Sequence, residues 1–200
     1  MPRDDQPTRK TLALSDQRAL RALAHPTRLA LIGLVRREGA LTATQAARRL
    51  GETPQRCTFH FTQLAKYGFV EEAPGGHGRE RPWRATAART SWPSAPEGPE
   101  MAAAASLVES VLAERYFEEL MTWLECKPVE SAAWQEAAQL GDSLLQVTAA
   151  ELGDLGGQIA ELVERFEERI AAKGKDRSEA RAVLLLHLAF PMSGGDLAKP

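Results

Sequence analysis

Cys57 and His60 stand three residues apart, so a helix carrying them presents both on one side, and a thiolate with an imidazole at that spacing could hold zinc. Interleaved with them is a second set, Gln55, Arg56, Thr58, Phe59 and Thr62. These types suit the reading of DNA base edges: Gln pairs with adenine, Arg pairs with guanine, and Thr or Phe contacts a thymine methyl. Downstream, His77 and Arg79 lie in a glycine-rich turn with Arg81 and Arg84 just after it, a place from which cations could meet phosphates or enter a minor groove.

The element that must position these groups lies in TPQRCTFHFTQLAKYGFVEE, residues 53–72. At ~100° per residue, Cys57, Phe61 and Leu64 share a narrow arc with His60 on its edge. Gln55, Phe59, Thr62 and Lys66 fall on the opposite arc, with Arg56 and Gln63 beside them and Thr58 on the other flank. That outward face holds no carboxylate. A merely solvated face mixes signs, whereas a face entering the major groove must keep carboxylates away from phosphates. Cys57 is central to the apolar arc, where a free Cys acts as a small hydrophobe. Only two metal ligands are visible, so the reading is a core pair with no metal.

The flanking sequence predicts a scaffold of helix, helix, short helix, helix and β-hairpin. Ser15 caps a first helix to Ala24; Pro26 opens a second that runs to about Arg37. Thr42 caps a third over Ala43–Leu50, which Gly51 stops, and Thr53-Pro54 starts the fourth, which Gly68 ends. Residues 69–73 and 81–87 read as strands about the turn GGHG. A short helix, a glycine and then the acid-free helix make a helix-turn-helix with its recognition helix second. Thr42, Thr53, Gln63 and Lys66 are placed to assist positioning on the DNA backbone.

Composition is consistent with this division. Of 200 residues, 44% are hydrophobic, enough for a core. Residues 1–95 hold 16 Lys+Arg against 8 Asp+Glu, a net of +8; residues 96–200 hold 9 against 19, a net of −10. The basic half is expected to meet a polyanion. Two distant cysteines make no disulfide framework, no apolar run nears the ~20 residues of a membrane span, and the N-terminus lacks a signal-peptide core; the expected location is cytoplasmic. No phosphate loop, GxSxG, HExxH or Cys/His nucleophile pair stands out, so neither an enzyme nor a cofactor is expected.

The segment 14–90 resembles the ArsR-like winged helix-turn-helix repressors. The resemblance rests on Ala-His-Pro-Thr-Arg at 24–28, His60-Phe61 with Leu64, Gly-Phe-Val at 68–70 and the charged hairpin that follows. It implies a dimeric DNA-binding repressor, often released by a small effector or a metal, with the 54–66 helix in the major groove and residues 71–85 as the wing. It also implies that His60 is structural. Family members that sense metals through the third helix carry closely spaced cysteines there, and residues 43–50 have none.

The expected fold class is mainly α with a small β-hairpin wing: a winged helix-turn-helix domain plus a C-terminal α-helical, or α+β, domain. The divisions are a disordered tail at 1–10, the DNA-binding domain at 11–90, a Pro-rich linker at 91–100 and a dimerisation and effector domain at 101–200. Helices are expected over Met101–Glu125, over 129–147, and from the capping box at Thr148 to near Ala172. The apolar run 181–190 reads as strand or helix, with a lean to strand. Tyr116, Phe117, Met121, Trp123, Trp134 and Phe166 either line an effector pocket or form core. The leading expectation is a homodimeric repressor on a pseudo-palindromic operator, with double-stranded DNA, a second copy and a small-molecule effector as partners and no membrane. The alternative is a winged-helix or antitoxin-like module that docks a protein.

Overall fold

A computed structural model describes residues 10–75, 81–174 and 179–192. The chain forms two compact units, 1–137 and 138–200.

The first unit is built from locally specified helices. Helix α1 (Gln17–Leu23) is capped by Asp16, whose carboxylate accepts from the Arg18 N–H at 2.9 Å, in place of the expected Ser15. Either side chain can cap; the chain enters the helix one residue later, and Asp16 holds the extended backbone that a cap needs. Helix α2 (Pro26–Glu38) starts with Pro at its first position, and the His25 imidazole accepts from the Thr27 N–H at 3.2 Å through Nδ1. Helix α3 (Ala43–Leu50) has a full capping box between Thr42 and Gln45. Gly51 ends it in the left-handed conformation, φ 65°, which favours glycine. Helix α4 (Pro54–Lys66) follows after a cap by Thr53, whose hydroxyl oxygen accepts from the Arg56 N–H.

The wing consists of β2 (Val70–Glu72) paired antiparallel with β3 (Trp83–Ala85), Val70 opposite Ala85. Trp83 also exchanges both backbone hydrogen bonds with Leu41, at 2.9 and 2.8 Å, which ties the hairpin to the loop before α3. One pair of strands lies outside the sequence expectation. Strand β1 (Thr11–Ala13), beside the segment read as a disordered tail, pairs in parallel with β4 (Arg89–Ser91), which straddles the expected boundary between the DNA-binding domain and the linker. Three-residue strands are too short to show alternation, so only the tertiary pairing reveals them. Arg36 of α2 fastens this corner, donating to the Ala87 carbonyl at 3.0 Å and the Thr90 hydroxyl at 2.7 Å. Burial lowers its pKa to about 10, so it stays charged at neutral pH.

Helix α5 (Pro99–Cys126) packs on α1 through Ala104, Ala105 and Val108, all buried, and so joins the same core as Leu20, Leu31, Val35, Phe61 and Phe69. The apolar stripe that shifts along this helix is then explained in part: its early half faces the core, while Phe117, Met121 and Leu124 remain exposed.

Beyond α5 the expected helix over 129–147 is reduced to a 3-10 turn (Lys127–Val129) and α6 (Ala132–Ala137); residues 138–148 have no regular structure. Gly141 interrupts the pattern, and no side chain between Ser131 and Val147 is buried, so nothing offsets the cost of ordering a helix there. In the second unit, α7 (Ala149–Ala172) starts at the predicted capping box of Thr148 and Glu151 and runs without interruption past its three glycines. Residues 181–190 are neither strand nor helix. A strand needs a partner ladder, and this segment has none among the described residues. Among those residues no helix is long and apolar enough to cross a membrane. The architecture is therefore mainly helical, a helix-turn-helix with an antiparallel hairpin followed by further helices.

Candidate nucleic-acid interface

Helix α4 separates into two faces along the arcs that its sequence predicts. Cys57, His60, Phe61 and Leu64 are buried; Gln55, Arg56, Thr58, Phe59, Thr62 and Lys66 are exposed, and Gln63 is half-buried. Phe61 stacks on Trp83 of the wing, with ring centres 5.6 Å apart and planes 11° from parallel, so one aromatic contact ties α4 to the hairpin.

The outward face has a definite hydrogen-bond chemistry. Thr58 donates its hydroxyl proton to the Pro54 carbonyl and Thr62 to the Thr58 carbonyl, both at 2.9 Å. With those protons committed to the helix, each threonine offers outward a methyl group and an oxygen that can only accept. The methyls suit thymine contact. Phe59 is 59% exposed and contributes a bare apolar surface between them. Thr42 and Thr53 behave differently: in their caps the hydroxyl oxygen accepts, from Gln45 and Arg56 N–H respectively, so the cap leaves the hydroxyl proton for another acceptor. A phosphate oxygen at a helix N-terminus is the natural one. The Lys66 ammonium sits 5.7 Å from the Tyr67 ring centre at the far end of α4.

Among the described residues, three of the predicted contact cations are paired with carboxylates, which tempers the basic character read from composition. Arg56 pairs with Glu52 at 2.8 Å, Arg84 with Glu71 at 2.9 Å, and Arg81 with Glu72 at 3.8 Å. The last two pairs cross the wing: Glu71 faces Arg84 in the β2–β3 register, and Glu72 meets Arg81 in the chain entering β3. Sequence spacing missed all three because the partners lie on neighbouring segments and not on the helix face or strand being counted. His77 and Arg79 lie outside the described residues.

Beneath the helix, the His25 and His60 rings stand 4.6 Å apart at 47°, and the Phe59 ring meets His60 edge-on. Burial and the nearby Arg28 and Arg56 guanidiniums lower the pKa of both imidazoles; for His60, His25 adds to the effect. His60 Nδ1 is buried without a hydrogen-bond partner, as is Arg28 Nε. The Cys57 thiol is pushed up by burial and by the Glu52 carboxylate, which keeps it protonated and unsuited to a metal. Among the described residues no three or more His, Cys, Asp or Glu side chains are grouped to hold a metal ion.

Of the aromatic set of the acidic half, Phe117 and Met121 are exposed in the first unit, and Tyr116, Trp123 and Trp134 are half-buried. Phe166 belongs to the second unit and is half exposed. A cleft of about 420 Å³ in the first unit is lined instead by Pro26, Thr27, Arg37, Glu52, Arg115 and Glu118 among others.

Residues 23–73 match the family model of a helix-turn-helix domain. No curated protein matches the chain. The matched segment runs from the end of α1 through α2, α3, α4 and β2, which are the elements that build the acid-free face. The match supports a DNA-binding regulator.

Proposed function

We propose that this chain is a cytoplasmic, homodimeric, ArsR-like repressor that acts by binding and carries out no catalysis. Two α4 helices enter successive major grooves of a pseudo-palindromic operator, roughly 34 Å apart. Gln55, Arg56, Thr58, Phe59 and Thr62 read bases, while Thr42, Thr53, Gln63, Lys66 and the wing cations hold the backbone. The observation that carries this reading is the exposed face of α4, which lacks any carboxylate while its opposite face is fully packed. The exposed Leu107, Phe117, Met121 and Leu124 of α5 support a second copy as partner, since the first unit by itself leaves this apolar surface uncovered. A small effector releasing the operator completes the scheme.

The test is selection of bound duplexes from a random pool by the full chain, followed by titration of the recovered sequence at several salt concentrations. The reading expects a two-fold-related sequence and an affinity that falls steeply and log-linearly with salt. Recovery of no consensus, with binding indifferent to salt, favours the docking of a protein partner instead.

A further inference from the structure

Among the described residues the reading face meets a carboxylate in the Glu52–Arg56 ion pair, and fold stability does not account for it. Arg56 is 59% exposed, and a pair with so exposed a member contributes only ~0–1 kcal/mol. Glu52 itself is held firmly. Its side chain is 19% exposed, and its backbone N–H donates to the Ala47 carbonyl at 3.0 Å, which anchors it to the end of α3. Its carboxylate therefore forms a fixed bracket on the turn of the helix-turn-helix, one residue ahead of the α4 cap, with Arg56 Nη1 at 2.8 Å.

A free arginine samples many rotamers, and arresting them on a base costs affinity. A guanidinium already held on one edge keeps its remaining N–H groups in a fixed plane, which favours a base edge at one geometry over phosphates at any geometry. The same carboxylate near the DNA backbone repels phosphates and weakens binding that has no base contact to compensate.

We propose that Glu52 is a positioning residue for Arg56: it fixes the guanidinium for base reading and lowers the affinity for unrelated DNA. This rests on the reading of α4 as a recognition helix. The two effects have opposite signs, which distinguishes the role from a structural one, where loss of fold weakens all binding together.

The experiment uses the full chain and its selected operator, with a scrambled duplex of the same composition, and compares wild type, Glu52→Gln, Arg56→Ala and the double variant. Glu52→Gln is expected to bind scrambled DNA several-fold more tightly while its operator-to-scrambled ratio falls about tenfold. In the Arg56→Ala background the same change should leave the ratio unaltered. A ratio unchanged in Glu52→Gln, or lowered equally in both backgrounds, overturns the proposal. Loss of folding in both Glu52→Gln and Glu52→Ala marks Glu52 as structural and overturns it too. A wild type that binds both duplexes alike overturns the recognition reading itself, and the role of Glu52 with it; a discriminating wild type beside an equally discriminating Glu52→Gln sinks only the latter.

Discussion

Helices α4 and α7 start the same way and end up differently. Each is opened by a threonine whose hydroxyl oxygen accepts from a backbone N–H three residues on, and each carries an apolar stripe at helical spacing. Yet α4 buries Cys57, Phe61 and Leu64 completely, whereas α7 buries no side chain and leaves Leu162 and Phe166 about half exposed. The caps are local chemistry within four residues, so they form in both places. Burial requires a surface from elsewhere in the chain. For α4 that surface is supplied by α2, α3 and the wing. An amphipathic stripe therefore reports a demand for a partner and says nothing of where the partner resides.

Four substitutions or conditions sharpen this contrast. The largest effect belongs to Phe61→Ala, which removes a fully buried ring and its stacking on Trp83 and should destabilise the winged helix by ~3–5 kcal/mol in denaturant unfolding followed by far-UV circular dichroism. Phe166→Ala in α7 is the matched control, and its cost in dilute solution should stay within ~0.5 kcal/mol. Equal losses at both sites would erase the distinction drawn here.

Next comes Arg56→Ala, expected to cost ~1–3 kcal/mol of discrimination between operator and scrambled DNA while leaving the melting temperature nearly unchanged. An unaltered ratio would remove Arg56 from the base readers.

Between pH 7.5 and 5, acidity should act on α4 and not on α7, whose cap carboxylate Glu151 is held below its ordinary range by its hydrogen bonds to Thr148. His25 and His60 have folded pKa values below the ordinary 6.5, so the unfolded chain binds more protons as pH falls through that range. Their contribution is fully present above about pH 6.5 and is lost as pH drops toward the folded values. Protonation also removes the Nδ1 lone pair with which His25 caps α2. The melting temperature of the first unit should therefore fall between pH 7.5 and 5, and His60→Gln should flatten that slope. A slope unaffected by the substitution would assign the acid sensitivity elsewhere.

The smallest effect is expected from Arg84→Ala in the wing, which should weaken operator and scrambled DNA alike and reduce the slope of log affinity against log salt by ~1 or less, because Glu71 already neutralises part of its charge.

How much of this could be read from residues alone follows the same division between local and distant causes. Thr42 with Gln45, Thr53 with Pro54, Gly51 and the inward set Cys57, His60, Phe61 and Leu64 were legible because each signal spans one or two helical turns. The β1–β4 pair joins segments some 78 residues apart and left no trace in alternation. The helix expected over 129–147 shows the reverse error: composition favoured it, but none of its apolar side chains is buried among the described residues. On α4, base-reading types were visible as a missing charge, whereas the carboxylates that hold Arg56, Arg81 and Arg84 were hidden because Glu52 lies in the turn before α4 and Glu71 and Glu72 on the opposite side of the hairpin, where helical spacing does not reach.

The central claim is that the acid-free face of α4 touches DNA, and amide chemical shifts of the full chain on adding its selected operator test it most directly. The account predicts perturbations concentrated in residues 53–66 and in the β2–β3 hairpin, with α7 silent. Perturbations centred on α5 or α7, with residues 55–62 unmoved, would contradict it.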